Sequence, residues 1–399
     1  MAFDKIKRTM GIGRIGQVPE AVDQVASALL PLRAISQSLY DRCVLYVVDG
    51  SSPELLMELA SSPDPLRDGV LCAPGQLRNY YVLPDPALHA LAKAGVLNGG
   101  RQGHDNLADR VRAMRDPLYR SEDLTSAQWV RWGRLMGEIG LGPNRVADGA
   151  PAWAVALVND VVGTCPRDSR SPEGLATHRP LWTAHAIAQL VRDSGVDETT
   201  IPATVFLVVF QDDGSGWSYY SAPTDLPGLG DYLIEHGSGI PVDVVPRVSA
   251  AGRVRLAEMA VAVPDVARAT AGLLAVLCTD SSKTTRHAAV TALRNLEITT
   301  LREVLPSVLT KAPTARFGEI AEFLVGAEGG LDILDKVAKG NPRLASAIGD
   351  IAQRRQLLAQ SPDTEGVLDV PPFSPLPEVS AAAAKVELRR ALDKAIERG

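Results

Sequence analysis

Residues 280–293 read DSSKTTRHAAVTAL, the pattern of a helix built to pack against other helices. Asp280 stands where a carboxylate accepts hydrogen bonds from the free amides that open a helix. Thr285, Ala289, Ala292 and Leu293 follow at the steps that share one helix face. The alanines let two helices approach closely, and Leu293 fills the core they share. Just upstream, 265–277 carries an amphipathic helical pattern of its own, so the two segments form a hairpin. The unit recurs. Residues 301–311 read as a first helix and KAPTARFGEIAEFL (311–324) as a second, with Ile320 and Leu324 where Ala289 and Leu293 stand. A third copy pairs 331–339 with KGNPRLASAIGDIA (339–352), turning Leu344, Ile348 and Ile351 inward. The copies begin at 280, 311 and 339, spacings of 31 and 28 residues.

This arrangement resembles a HEAT repeat. In the second helix of such a repeat an aspartate, a β-branched residue, an arginine, small residues and a leucine follow in order. Here they fall on Asp280, Thr285, Arg286, Ala289, Ala292 and Leu293. The spacing lies within the range of helical-pair solenoids, where each pair must be covered by a neighbour. Over about 254–398 the chain also resembles the amino-terminal helical region of large bacterial proteins once described as molybdate-metabolism regulators. The shared features are the 280–293 unit, the proline-rich stretch 361–377 (SPDTEGVLDVPPFSPLP) and the charged closing helix 381–398. The resemblance implies an armadillo-type scaffold and a bacterial source, and brings no catalytic residues with it.

The fold class is therefore mostly α, a HEAT-like α-solenoid preceded by an irregular helical part. Residues 1–17 form a flexible lead, 18–250 a helical region with long loops, and 251–360 the repeats. Residues 361–377 are a linker and 378–399 a terminal helix. In the upstream region Val18, Val22, Val25, Leu29, Leu32 and Ile35 keep helical period, divided at Pro31. The segment CVLYVVDG (43–50) fits a short strand or a buried helix end. Helices are predicted at 106–114, 126–139 and 152–162, and at 180–194 with Gly195 closing it. Residues 201–249 are the least helix-like. Within them 201–210 is an apolar run and 211–230 reads as an exposed loop.

Composition narrows the function. Hydrophobic residues are 46% and charged residues 22%, which marks a folded chain. Aromatics are only 5%, which favours helix packing over sheet sandwiches. The net charge of −6 denies the chain the global positive field of most nucleic-acid binders. Within 280–360, 11 basic residues face 9 acidic ones, too even for a phosphate groove. The four cysteines, Cys43, Cys72, Cys165 and Cys278, are far apart and contain no CxxC pair. No apolar run reaches the roughly 18 residues a membrane span needs, so the expected location is cytoplasmic.

Candidate chemistry is sparse. Gly11, Gly13 and Gly16 fit GxGxxG, but no apolar strand precedes them to aim a helix at a pyrophosphate. Trp129, Trp132 and Met136 share a helical face, the signature of core packing. His178 and His185, with Glu173 nearby, lack any recognised metal spacing. His104 and Asp105 follow a glycine loop, and Arg110, Arg112 and Arg115 read as a charged helix face. Asp212 and Asp213 resemble the start of a calcium loop, but Gly216, Trp217 and Ser218 fill the later ligand positions. No catalytic residue, cofactor or metal is assigned. The expected function is a non-enzymatic scaffold for a protein or peptide partner, with Lys283, Arg286, Arg294 and Arg316 as its surface. The rival readings are a nucleic-acid-binding repeat protein, and an enzyme with a site in 100–250. An aromatic pocket around Trp182, Trp217, Tyr219 and Tyr220 would serve the latter.

Overall fold

The structure is a computed structural model that describes residues 20–62, 64, 67–68, 71, 113–140, 149–166, 171–211 and 222–360. Among these the regular elements are helical and no strand occurs. Several sequence readings lie outside the described residues. They are the lead 1–17 with its glycine run 11–16, Val18, Cys72, His104, Asp105, residues 106–112 with Arg110 and Arg112, the segment 212–221, the linker 361–377 and the helix 381–398. The chain divides into two compact units, 1–348 and 349–399.

Helices α1 (Glu20–Ala28) and α2 (Leu30–Ile35) divide beside Pro31, whose ring sits in the first turn of α2 where no amide is needed. Ser36 then caps α3 (Gln37–Asp49), its hydroxyl accepting from the Leu39 amide at 3.2 Å. The ambiguous segment 43–50 belongs to α3. Its inward residues Tyr40, Cys43, Val44 and Val47 are three or four apart, a helix face rather than the alternation of a strand. Gly50 closes the helix at φ +83°.

After α4 (Leu55–Ser61) come the two helices that organise the upstream core, α5 (Ser126–Gly140) and α6 (Ala152–Gly163). A reciprocal cap opens α5. The Gln128 amide donates to Thr125 Oγ1, and the Thr125 amide donates to Gln128 Oε1. The two helices cross with backbone against backbone. A Cβ on Gly133 would stand 2.6 Å from the Trp153 carbonyl oxygen, and one on Gly137 3.0 Å from that of Ala152. Glycines one turn apart on a single face make this approach possible. Arg131 of α5 also donates to the Val47 and Val48 carbonyls at 2.8 and 2.9 Å, tying the end of α3 to it.

The helix read at 180–194 begins later, as α8 (Ala184–Asp193), after the short α7 (Pro172–His178). Thr183 sets its start, because its hydroxyl accepts from the Ala186 amide at 3.1 Å. Gly195 ends the helix in the left-handed region, as its position predicts. Residues 201–249, expected to be the least helical, carry α9 (Ile201–Val209), α10 (Leu229–His236) and several 3-10 turns. Helix α9 is buried on nearly every side, so it shows no polar face, and its short apolar run has no period to read.

Ser249 caps α11 (Ala250–Ala262), which is followed by α12 (Pro264–Ala269) and α13 (Ala271–Leu277). The single helix expected over 265–277 is thus two, broken at Thr270. The chain continues through α14 (Lys283–Leu293), α15 (Ile298–Leu309), α16 (Gly318–Gly326), α17 (Gly330–Gly340) and α18 (Pro342–Gln360). The cap of α14 is Ser282, whose hydroxyl accepts from the Thr285 amide at 3.3 Å, and not Asp280 as its position suggests. Asp280 instead accepts from the Ser282 amide at 2.7 Å and pairs with Arg253 of α11 at 2.8 Å. Packing alternates along this stretch. Helices α13, α15 and α17 lie side by side, and so do α11, α14 and α16. Helix α13 packs on α14, and α16 packs on α17. Thr285, Ala289, Ala292, Leu293, Ile320, Leu324, Leu344 and Ile348 are buried as their spacing predicts, while Ile351 is half-buried.

Candidate functional site

Three groups of side chains could carry function: a buried ionic cluster, a surface His–Glu–His cluster, and the cationic positions of the repeat region.

The buried cluster centres on Asp160 in α6, a lone carboxylate in the apolar run AWAVALVNDVVG. It is 0% exposed and its partner Arg115 is 1% exposed. The Arg115 Nη1 lies 2.7 Å from Asp160 Oδ1, and the Tyr119 hydroxyl donates to Oδ2. That phenol oxygen in turn accepts from Trp132 Nε1 at 2.8 Å. Burial pushes the Tyr119 hydroxyl well above its ordinary pKa, so it keeps the proton it donates. Burial also raises the Asp160 carboxyl, against the opposing pull of the Arg115 charge and the Tyr119 hydrogen bond. A second buried cation, Arg179, pairs with Asp116 at 2.7 Å, and His178 Nε2 lies 2.8 Å from the same carboxylate oxygen. Burial works to raise Asp116. The hydrogen bonds from His178 and Arg179, with the charges of Arg179 and Arg120, outweigh it and hold the carboxyl below its usual range. Arg115 is therefore not part of a solvated helix face, as the arginine spacing suggests. Asp160 supplies the fixed opposite charge that lets it enter the core. The central side chains have no solvent-facing side, so the cluster fixes α5 and α6 rather than offering acid and base to a substrate.

Trp182 packs against this cluster. It is 4% exposed, donates from Nε1 to the Tyr119 carbonyl at 2.8 Å, and meets Trp129 edge-on with ring centroids 4.7 Å apart. Its proposed pocket partners Trp217, Tyr219 and Tyr220 lie outside the described residues. The buried thiols of Cys43 and Cys278 are pushed up to about 12 by desolvation, which removes them as nucleophiles at neutral pH.

The surface cluster joins His185, in the first turn of α8, to Glu235 and His236, in the last turn of α10. His185 Nε2 lies 2.9 Å and His236 Nε2 3.7 Å from Glu235 Oε2. One nitrogen from each ring and one carboxylate oxygen all fall within 4.8 Å of one another. The three side chains are 43%, 41% and 56% exposed for His185, His236 and Glu235. The buried ring of Tyr232 lies against both imidazoles, at centroid distances of 5.3 Å and 4.6 Å. Of the two histidines considered together from sequence, His178 is paired with Asp116 and His185 with Glu235. Glu235 and His236 escaped the sequence reading because their relation to His185 spans about fifty positions.

Lys283, Arg294 and Arg316 are exposed. Lys283 and Arg294 bracket α14, roughly 16 Å apart at 1.5 Å per residue. Arg286 turns its guanidinium onto the Asp280 and Ser281 carbonyls at 2.7 and 3.0 Å. The Arg294 guanidinium stands 5.7 Å over the Phe323 ring. Beside them, His287 and Glu319 link α14 to α16 at 2.6 Å.

No protein family, curated protein or solved structure matches the chain. What the residues define is a mostly α-helical protein, in which no described helix is long and apolar enough to cross a membrane.

Proposed function

We propose that the chain is a non-enzymatic, HEAT-like helical scaffold that binds a protein or peptide partner along its carboxy-terminal hairpins. The observation that carries this reading is the packing in two rows, with α13, α15 and α17 in one and α11, α14 and α16 in the other. Stacked hairpins generate such rows, and their outer faces offer an extended binding surface. The resemblance to the helical region of the molybdate-regulator family supports the same reading, as does the closure of the buried cluster to solvent. The partner surface includes Lys283, Arg294 and Arg316. Arg286 contributes less charge to it, because its guanidinium is held by backbone carbonyls. The cytoplasm is the compartment this function implies.

The test uses the full chain with Lys283→Glu, Arg294→Glu and Arg316→Glu together. These side chains are exposed, so the variant is expected to melt with the wild type and to lose the protein that the wild type co-purifies from its native cells. Retention of that protein at equal yield would move the surface elsewhere on the molecule. A fluorescence-anisotropy titration with duplex DNA at about 150 mM salt addresses the nucleic-acid rival. The scaffold reading expects nothing tighter than the roughly 10⁻⁴ to 10⁻⁶ M of non-specific binding. Submicromolar binding that the triple variant loses would replace it.

A further inference from the structure

We propose that His185, Glu235 and His236 form a binding site for a divalent transition-metal ion of the zinc class. The donor set comes first. Two imidazole nitrogens and one carboxylate oxygen are a recognised three-residue zinc set, with a fourth position left to water or to another ligand. Imidazole suits zinc, nickel and copper, whereas calcium and magnesium prefer all-oxygen shells.

The distances come second. Donors about 2.0–2.1 Å from a tetrahedral ion stand about 3.4 Å from one another. The two nitrogen–oxygen separations here, 2.9 Å and 3.7 Å, bracket that value. The three donors lie within 4.8 Å of one another.

The scaffold comes third. Helix α8 packs on α10, so the donors ride on two helices already in contact. The Ala184 amide donates to the Pro227 carbonyl at 3.0 Å, fixing the start of α8 against the turn that leads into α10. Tyr232, 1% exposed, has its ring against both imidazoles. A simple surface ion pair would need one histidine and one carboxylate, as His287 and Glu319 show elsewhere on the chain. Here a second imidazole converges on the same carboxylate oxygen. Bound metal would clamp α8 to α10 across the 35 residues between Asp193 and Leu229, and would leave an open coordination position at the surface.

The experiment uses the full chain without a polyhistidine tag, stripped with a chelator and dialysed. Zinc is titrated by calorimetry, and cobalt by its visible absorption, which reports a tetrahedral nitrogen and oxygen shell. The expected result is one equivalent bound per chain and a raised melting temperature. Glu235→Gln and His236→Ala are each expected to weaken zinc at least about 100-fold, since loss of even an outer-shell partner costs roughly 10–100-fold. Glu235 is exposed, so Glu235→Gln should melt like the wild type without metal, and His236→Ala, which loses the Tyr232 ring contact, should keep the same fold by circular dichroism. His287→Ala, which removes the other surface His–Glu pair, should leave affinity unchanged. Absence of an equivalent bound at micromolar protein would overturn the proposal. So would zinc affinity that survives both ligand substitutions, or that falls equally with His287→Ala.

Discussion

Asp160 shows how much one side chain can hold. It accepts from Arg115 and Tyr119 with no solvent near it, and the three meet where α5, α6 and the 3-10 turn Leu118–Arg120 converge. Removing one partner leaves a buried charge uncompensated. Asp160→Ala is therefore expected to destabilise the fold by about 3–5 kcal/mol in urea unfolding. Replacing the pair together, Arg115→Met with Asp160→Leu, should recover part of that loss, because no buried charge is left unpaired while the Tyr119 hydroxyl still loses its acceptor. A double variant no more stable than Asp160→Ala alone would show that the loss is not one of charge pairing. The carboxyls of Asp160 and Asp116 also predict opposite acid behaviour. Asp116 is held below its ordinary pKa, so its contribution is complete above about pH 3.9, the unfolded value, and disappears as pH falls through the lower folded value. Asp160 is raised, so its titration contributes stability below about pH 3.9 that is lost as pH rises through the higher folded value. The stability difference between wild type and Asp116→Asn should grow with pH across the acid range. The difference for Asp160→Asn should shrink. Parallel slopes in urea titrations across that range would contradict the assignment.

At the scale of elements, two kinds of helical glycine separate cleanly. Gly133 sits where α5 and α6 touch backbone to backbone, whereas Gly349 lies within α18 and a Cβ added there would meet nothing within 4 Å. Gly133→Ala is expected to cost about 1–3 kcal/mol, the usual penalty of overpacking, since a carbonyl oxygen cannot rotate away as a side chain can. Gly349→Ala is expected to gain about 0.5–1 kcal/mol from helix propensity. Thermal melts of the two single variants should move in opposite directions. Both glycines look alike in sequence, because a helical period says which positions share a face but not how near the next helix comes. The caps carry a similar lesson. Asp280 occupies the expected cap position of α14, yet Arg253, 27 residues upstream, draws its carboxylate into an ion pair and Ser282 caps instead.

At the scale of the whole molecule, stability in the repeat region passes between neighbouring helices. Helix α14 touches α11, α13 and α16, and Leu293 is fully buried on it. Leu293→Asp should therefore cost at least about 3 kcal/mol, through both the lost apolar contact and the unpaired carboxylate. A melting temperature within about a degree of wild type would remove Leu293 from the shared core. The same coupling explains why the inward positions of the hairpins were readable. Each face is covered by helices of the same kind, so one local period repeats along the chain.

The helical class, the division at Pro31, the left-handed end at Gly195 and the buried faces around Leu293, Ile320 and Leu344 were all determined by the sequence alone. Each depends on spacing within a few residues, where backbone geometry dictates which side chains share a face. Tertiary structure decided the rest. It made a helix of the 201–209 run and enclosed it on nearly every side, which erased the polar face that would have marked it. It buried Arg115, because a carboxylate 45 positions away supplied the opposite charge. It also brought His185 to Glu235 and His236, a convergence that no local pattern encodes, since it depends on how α8 and α10 pack rather than on either helix by itself.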